Sequence, residues 1–199
     1  MLFGWQKQAK AGWPLKANHH RLRGMFKITI FAAILGLCTL STGHAADRLI
    51  GEYGDWRLFA NDSGQAKSCF IVGEPKSSTP KNARRGDIFL IVSHRPGQGV
   101  RNELSVRVGY PFSATSEPFA RVGSDEYGFF TGVQVENGAD EWAWLERLDD
   151  QARLVTAMKR GNELVFKGTS ARGTLTTDSY SLRGVTAAMK ALDAACPAP

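Results

Sequence analysis

"DIFLIVSHRPGQGVRNELSVRVGY", residues 87–110, is the stretch that decides the fold. Its second half alternates, with Leu104, Val106, Val108 and Tyr110 on one face and Ser105 and Arg107 on the other. That period of two marks a half-buried strand. Its first half is apolar at every position from Ile88 to Val92, which predicts a central strand covered on both faces. Between the halves, Pro96, Gly97 and Gly99 are turn residues, so the two strands form a hairpin.

The same period extends outward from this hairpin. "GDWRLFA" (54–60) aligns Trp56, Leu58 and Ala60; "FFTGVQV" (129–135) aligns Phe129, Val133 and Val135; "EWAWLER" (141–147) pairs Trp142 with Trp144. "ELVFKGTSARGTLTTDSYSL" (163–182) reads as two strands around a turn. Leu175 is odd-numbered while Tyr180 and Leu182 are even, which predicts a bulge near Asp178 to restore the parity.

Two stretches switch to helical spacing. "LDDQARLVTAMKRGN" (148–162) has Asp149 and Asp150 where a helix begins, Lys159 and Arg160 where it ends, and Gly161 to stop it. In "GVTAAMKALDAAC" (184–196) one face carries Val185, Ala188, Met189, Leu192 and Cys196. The expected fold is therefore dominated by β-structure, an antiparallel sandwich or open barrel with two short helices, one of them C-terminal.

The front of the 199-residue chain reads differently. Lys27, an apolar run from Ile28 to Leu40 and the small residues Gly43 and Ala45 form a secretory signal beginning at Met25, with cleavage expected between Ala45 and Ala46. The apolar run is shorter than the roughly 20 residues that cross a bilayer, which favours a cleaved signal over a membrane anchor. Cys38 would be the acylated residue of a lipoprotein, but the bulky Leu37 before it does not suit that processing. Residues 1–24 are basic and acid-free; they are expected to be an over-extended start rather than an organelle transit peptide. The remaining residues, 46–199, show no linker or repeat and read as a single β-rich domain.

Cleavage would also change the charge. The chain has 25 Lys and Arg against 19 Asp and Glu. Lys7, Lys10, Lys16, Arg21, Arg23 and Lys27 all lie in the leader, which holds no acid, so the processed domain is formally neutral. The basicity that would suggest nucleic acid as a partner belongs to the discarded segment. The adjacent cations that remain, Arg84-Arg85 and Lys159-Arg160, suit solvated surface.

Few chemically active residues survive. His94 is the one remaining histidine, and Cys69 and Cys196 are the remaining cysteines. An even number of cysteines in an oxidising compartment predicts a disulfide, Cys69 to Cys196, although a Cys-His pair with His94 is also open. Ser93 precedes His94, but neighbours on a strand face opposite ways, so the histidine is badly placed to activate it. An envelope hydrolase built on His94, or on the acid pairs Asp125-Glu126, Asp140-Glu141 or Asp149-Asp150, is the enzymatic alternative. No CxxC, His pair or calcium loop appears, so neither a metal nor a cofactor is expected. Arg85-Gly86-Asp87 spells the adhesive tripeptide RGD and is a candidate adhesion site, although it leads straight into the apolar strand.

Taken together, "YGDWRLFANDSGQAKSCFIV" (53–72) and "GNELVFKGTSARGTLTTDSYSLRGVTAAMKALDAAC" (161–196) resemble the invasion-associated locus B family of exported bacterial proteins. The points of likeness are the Gly-Asp-Trp opening with a cysteine-led apolar strand after it, the Lys-Gly turn, the Tyr-Ser-Leu-x-Gly step into a helix, and the terminal cysteine. The resemblance implies a β-rich protein of the periplasm or outer envelope, linked in some pathogens to entry into host cells; the signal, the neutral β-rich domain and the lack of a catalytic set make a non-enzymatic protein that binds a partner the leading expectation. Many members have a further cysteine shortly after the tryptophan, where this chain has Phe59.

Overall fold

The computed structural model describes residues 47–62, 64 and 67–197. The expected leader, and with it the cut between Ala45 and Ala46, lies outside the described residues.

Among the described residues eleven strands form one open antiparallel sheet. In chain order they are β1 (Arg48–Tyr53), β2 (Trp56–Asn61), β3 (Ser68–Gly73), β4 (Ser77–Thr79), β5 (Phe89–Arg95), β6 (Val100–Arg107), β7 (Phe119–Val122), β8 (Asp125–Thr131), β9 (Trp142–Leu145), β10 (Glu163–Thr169) and β11 (Leu175–Ser181). Helix α1 (Leu148–Arg160) lies between β9 and β10, and α2 (Val185–Ala195) follows β11. Across the sheet the order is β1-β2-β3-β5-β6-β9-β8-β7-β10-β11-β4, so β1 and β4 are its two edges. The β5–β6 hairpin turns through Pro96–Gln98, with Gly99 in the left-handed conformation that turn requires.

A continuous core fills the inner side of this sheet. It takes alternate residues such as Trp56, Leu58, Leu90, Val92, Leu104 and Val106 from the strands, and Leu154, Met158, Val185, Met189 and Leu192 from the helices. Helix α2 packs on β1, β2 and β3, and α1 on β6, β7 and β9. Both helices therefore bury their apolar stripe on the same side of the sheet.

That arrangement corrects the expectation for β5. The strand is central, hydrogen-bonded to β3 and β6, but only Leu90, Val92 and His94 are buried. Phe89 and Ile91 stay half-buried on the other face, because neither helix covers it.

Three local expectations also change. β11 pairs with β10 without interruption from Leu175 to Ser181, so there is no bulge. Its buried face is Thr176, Asp178 and Tyr180, and Leu175 points outward. The expected Lys-Gly turn lies inside β10. A Cβ on Gly168 would sit 2.7 Å from the Phe112 ring, so an aromatic side chain occupies the space a larger residue would need. β8 stops at Thr131, which leaves Val135 exposed in the following turns rather than aligned with Phe129.

Candidate functional site

The candidate catalytic groups do not converge. His94 is 1% exposed. Its Nδ1 lies 3.3 Å from the Cys196 carbonyl oxygen and its Nε2 3.1 Å from Asn102 Oδ1. Ser93 is on the opposite face of β5, and Cys69, the residue across from His94 in β3, is bonded to Cys196. The acid pairs lie exposed or have one member in an ion pair. Asp125 and Glu126 are exposed at the start of β8. Asp140 is exposed, while Glu141 Oε2 accepts from Arg107 Nη2 at 2.9 Å. Asp150 Oδ1 accepts from Arg153 Nη1 at 2.7 Å in the first turn of α1, and Asp149 is exposed. Among the described residues no cluster of three His, Cys, Asp or Glu is placed to hold a metal ion.

The three residues of the RGD tripeptide are held in different ways. Arg85 is only 6% exposed; its guanidinium donates to both carboxylate oxygens of Asp178, at 2.7 and 2.6 Å, and from Nε to the Val108 carbonyl at 2.9 Å. It also lies 5.0 Å over the Tyr110 ring. Asp178 is fully buried, so the arginine is its counter-charge and is not displayed to an adhesion receptor. Gly86 donates to Gly109 O at 2.7 Å, while Asp87 is exposed beside Arg107.

The two sequence motifs that carry the family resemblance meet in space. Trp56 Nε1 donates to Ser181 O at 3.0 Å, and Asp55 N donates to Arg183 O at 3.0 Å. Arg183 donates to both carboxylate oxygens of Asp55, and Lys76 lies 2.8 Å from Oδ1. With these donors, Arg183 foremost, Asp55 is held well below the usual carboxylate range. Gly184 has φ 90°, and a Cβ there would fall 2.0 Å from Tyr53 O. The Gly-Asp-Trp turn and the Leu-Arg-Gly step into α2 are thus a backbone lock. Nearby, the Cys69–Cys196 disulfide, with Cα atoms 5.9 Å apart, ties the end of α2 to β3.

The outer face of β2, β3, β5, β6, β9 and β8 carries a second set of large side chains. Reading across the strands in register, Arg57, Val72, Ile91, Ser105, Trp144 and Phe130 form one row. Phe59 and Phe70 pair beside it in one direction, and Phe89, Arg107 and Trp142 in the other. The rings lie nearly parallel: Phe59 to Phe70 at 5.5 Å between centroids, Phe130 to Trp144 at 5.7 Å, and Trp142 to Trp144 at 6.4 Å. All of these rings are half-buried, and among the described residues neither helix covers them. Two shallow depressions of 390 and 300 Å³ share Phe70, Ile91 and Trp142.

Charged pairs frame the rings. Arg57 pairs with Glu74 and lies over Phe59, Arg95 forks onto Glu103 at 2.8 and 2.6 Å, and Arg107 pairs with Glu141. The hydrogen bonds that it donates to Glu103 push the Arg95 guanidinium further up from its ordinary value. Each arginine of the frame is already compensated, so the surface is aromatic and close to neutral. Such a shallow area, rich in aromatic side chains and arginine with charges at its rim, has the composition of a protein interface more than that of a small-molecule cleft.

This face is what the alternation pattern hides. The signal for it is large apolar residues at both parities of one strand. Phe129-Phe130 must point two ways, as must Leu58-Phe59 and Phe70-Ile71.

A family model described as invasion associated locus B protein matches residues 56–193, from the tryptophan of the first motif into the last helix. Among solved structures, the crystal structure of invasion associated protein B from Bartonella henselae is similar. It shares 19% identity, covers 72% of this chain and 95% of that chain, and has a TM-score of 0.49. No curated protein matches the chain.

Proposed function

The chain belongs to the invasion associated locus B family, and from that premise we propose that it is an exported, non-enzymatic protein that binds a protein partner in the bacterial envelope through its outer aromatic sheet face. One observation carries the reading: stacked Phe and Trp side chains from β2, β3, β8 and β9 lie half-buried on the outer face, framed by compensated arginines. A patch of this kind is the usual mark of an interaction site. The signal at Met25 to Ala45 supports export. No helix among the described residues is long and apolar enough to cross a membrane. The separation of His94 from Ser93 and the ion pairs already made by Glu141 and Asp150 support a binding role over hydrolysis.

A host-surface protein is the partner that the family's name suggests, and it belongs in the same test. A photo-reactive phenylalanine analogue placed at Phe70, Ile91 or Trp144 in living cells is expected to trap a partner. The same group at exposed Leu175 or Val135, neither of which lines the two depressions of this face, is expected to trap none. Identical adducts from all five positions, or none from the first three, would refute the assignment.

A further inference from the structure

On a different part of the fold, a cleft of 510 Å³ lies between the segment after β4, the residues following β6 and the β10–β11 turn. Its volume is that of an ordinary small-molecule site. Arg84, Arg85 and Arg172 line it, and no acidic residue does. The three arginines differ in what they already hold. Arg85 is committed to Asp178. Arg84 and Arg172 are exposed and make no ion pair among the described residues. The cleft therefore carries uncompensated positive charge at its mouth, above a floor whose own charge is cancelled.

The rest of the lining is apolar or hydroxylic. Pro80, Pro111, Ala171 and the Tyr110 ring supply carbon surface. Tyr110 Oη donates to Gly168 O at 3.2 Å and shares a hydrogen bond with Thr176 Oγ1 at 2.6 Å. The walls are also held in place. Gly109 has φ 70°, and a Cβ there would lie 2.4 Å from Gly86 O, so the backbone that carries Arg84 and Arg85 rests directly on the residues after β6. Arg85, gripped by Asp178 and Val108, fixes the position of its neighbour Arg84.

We infer that this cleft binds a small organic anion, a carboxylate or phosphate group held by Arg84 and Arg172 with an apolar body against Pro80, Pro111 and Tyr110. Guanidinium groups are matched to such headgroups because they donate two hydrogen bonds in one plane. The site is separate from the outer aromatic face and does not depend on its role.

The test is isothermal titration calorimetry on the full chain with hexyl phosphate, hexanoate, hexanol and inorganic phosphate. At least one of the two amphiphilic anions is expected to bind one site per chain, and whichever binds assigns the headgroup. Hexanol should bind at least about tenfold more weakly, the loss expected when charge-assisted hydrogen bonds are removed. Inorganic phosphate should also bind more weakly, and affinity should fall with added salt. The double variant Arg84→Ala with Arg172→Ala is expected to weaken anion binding by about tenfold or more, for the same reason. Ala171→Glu, which sets a carboxylate on the wall and leaves the arginines in place, should abolish it. Absence of saturable heat with both anions, equal affinity for hexanol or inorganic phosphate, or unchanged affinity in either variant overturns the inference.

Discussion

Arg85→Ala is the substitution in which a structural and an adhesive reading of the RGD tripeptide differ most. The change deletes both hydrogen bonds to Asp178, the bond to Val108 O and the contact with Tyr110. Asp178 is 0% exposed, so its carboxylate is left charged and unpaired inside the protein. Breaking a buried pair in this way costs about 3–5 kcal/mol. With a urea dependence of about 2 kcal/mol per molar, the unfolding midpoint should fall by about 2 M. Arg85→Met combined with Asp178→Leu removes both charges while keeping volume, and should recover most of the loss. Arg84→Ala, at an exposed position, should change stability by no more than about 0.5 kcal/mol. Urea unfolding followed by tryptophan fluorescence reads all of these. A midpoint shift for Arg85→Ala no larger than that for Arg84→Ala would refute the assignment of Arg85 to the core.

Further outcomes follow from the lock and the clasp. The disulfide closes a loop of sequence separation 127, for which chain entropy gives about 5 kcal/mol. Replacing Cys69 and Cys196 by Ala should therefore lower the melting temperature by about 10–20 °C, and peptide mapping without reductant should recover the two joined. Gly184→Ala forces a Cβ to within 2.0 Å of Tyr53 O. A loss of at least about 2 kcal/mol in urea unfolding is expected. Asp55 has a native pKa lowered from 3.8, so its contribution is fully present above that value and is lost as pH falls toward the native pKa. The stability gap between the wild type and Asp55→Asn should thus be widest above about pH 4 and narrow toward pH 2; a constant gap would contradict the ion pair with Arg183.

Much of the scaffold was legible in the sequence because local chemistry and the fold agree there. The β5–β6 hairpin follows from Pro96 and Gly99, and α1 follows from Asp149, Asp150 and Gly161. The stripe Val185, Ala188, Met189 and Leu192 faces the core as its spacing requires. The departures arise where a residue's environment is made by a distant segment. Asp178 was expected at a bulge, and only Arg85, far earlier in the chain, makes its burial in an unbroken strand tolerable. Gly168 looked like a turn because its neighbour Phe112, which takes up the missing side-chain volume, is not near it in sequence. The candidate binding face was missed for a related reason. Ile91 and Phe89 read as covered because apolar residues on both faces usually mean two covering layers, whereas both helices pack on the same side. The family motifs at residues 54–56 and 180–184 were visible as words, but their mutual contact was not.

The division of labour between the two sheet faces is tested most directly by Ile91→Glu, measured for stability and for partner capture in the same preparation. Ile91 lies between Val72 and Ser105 on the outer face and contributes nothing to the inner core. The melting temperature should stay within about 3 °C of wild type, while cross-linking from the analogue at Phe70 should lose its partner. A variant that unfolds, or one that still captures the same partner with the same yield, would contradict the assignment of the aromatic face as the binding surface.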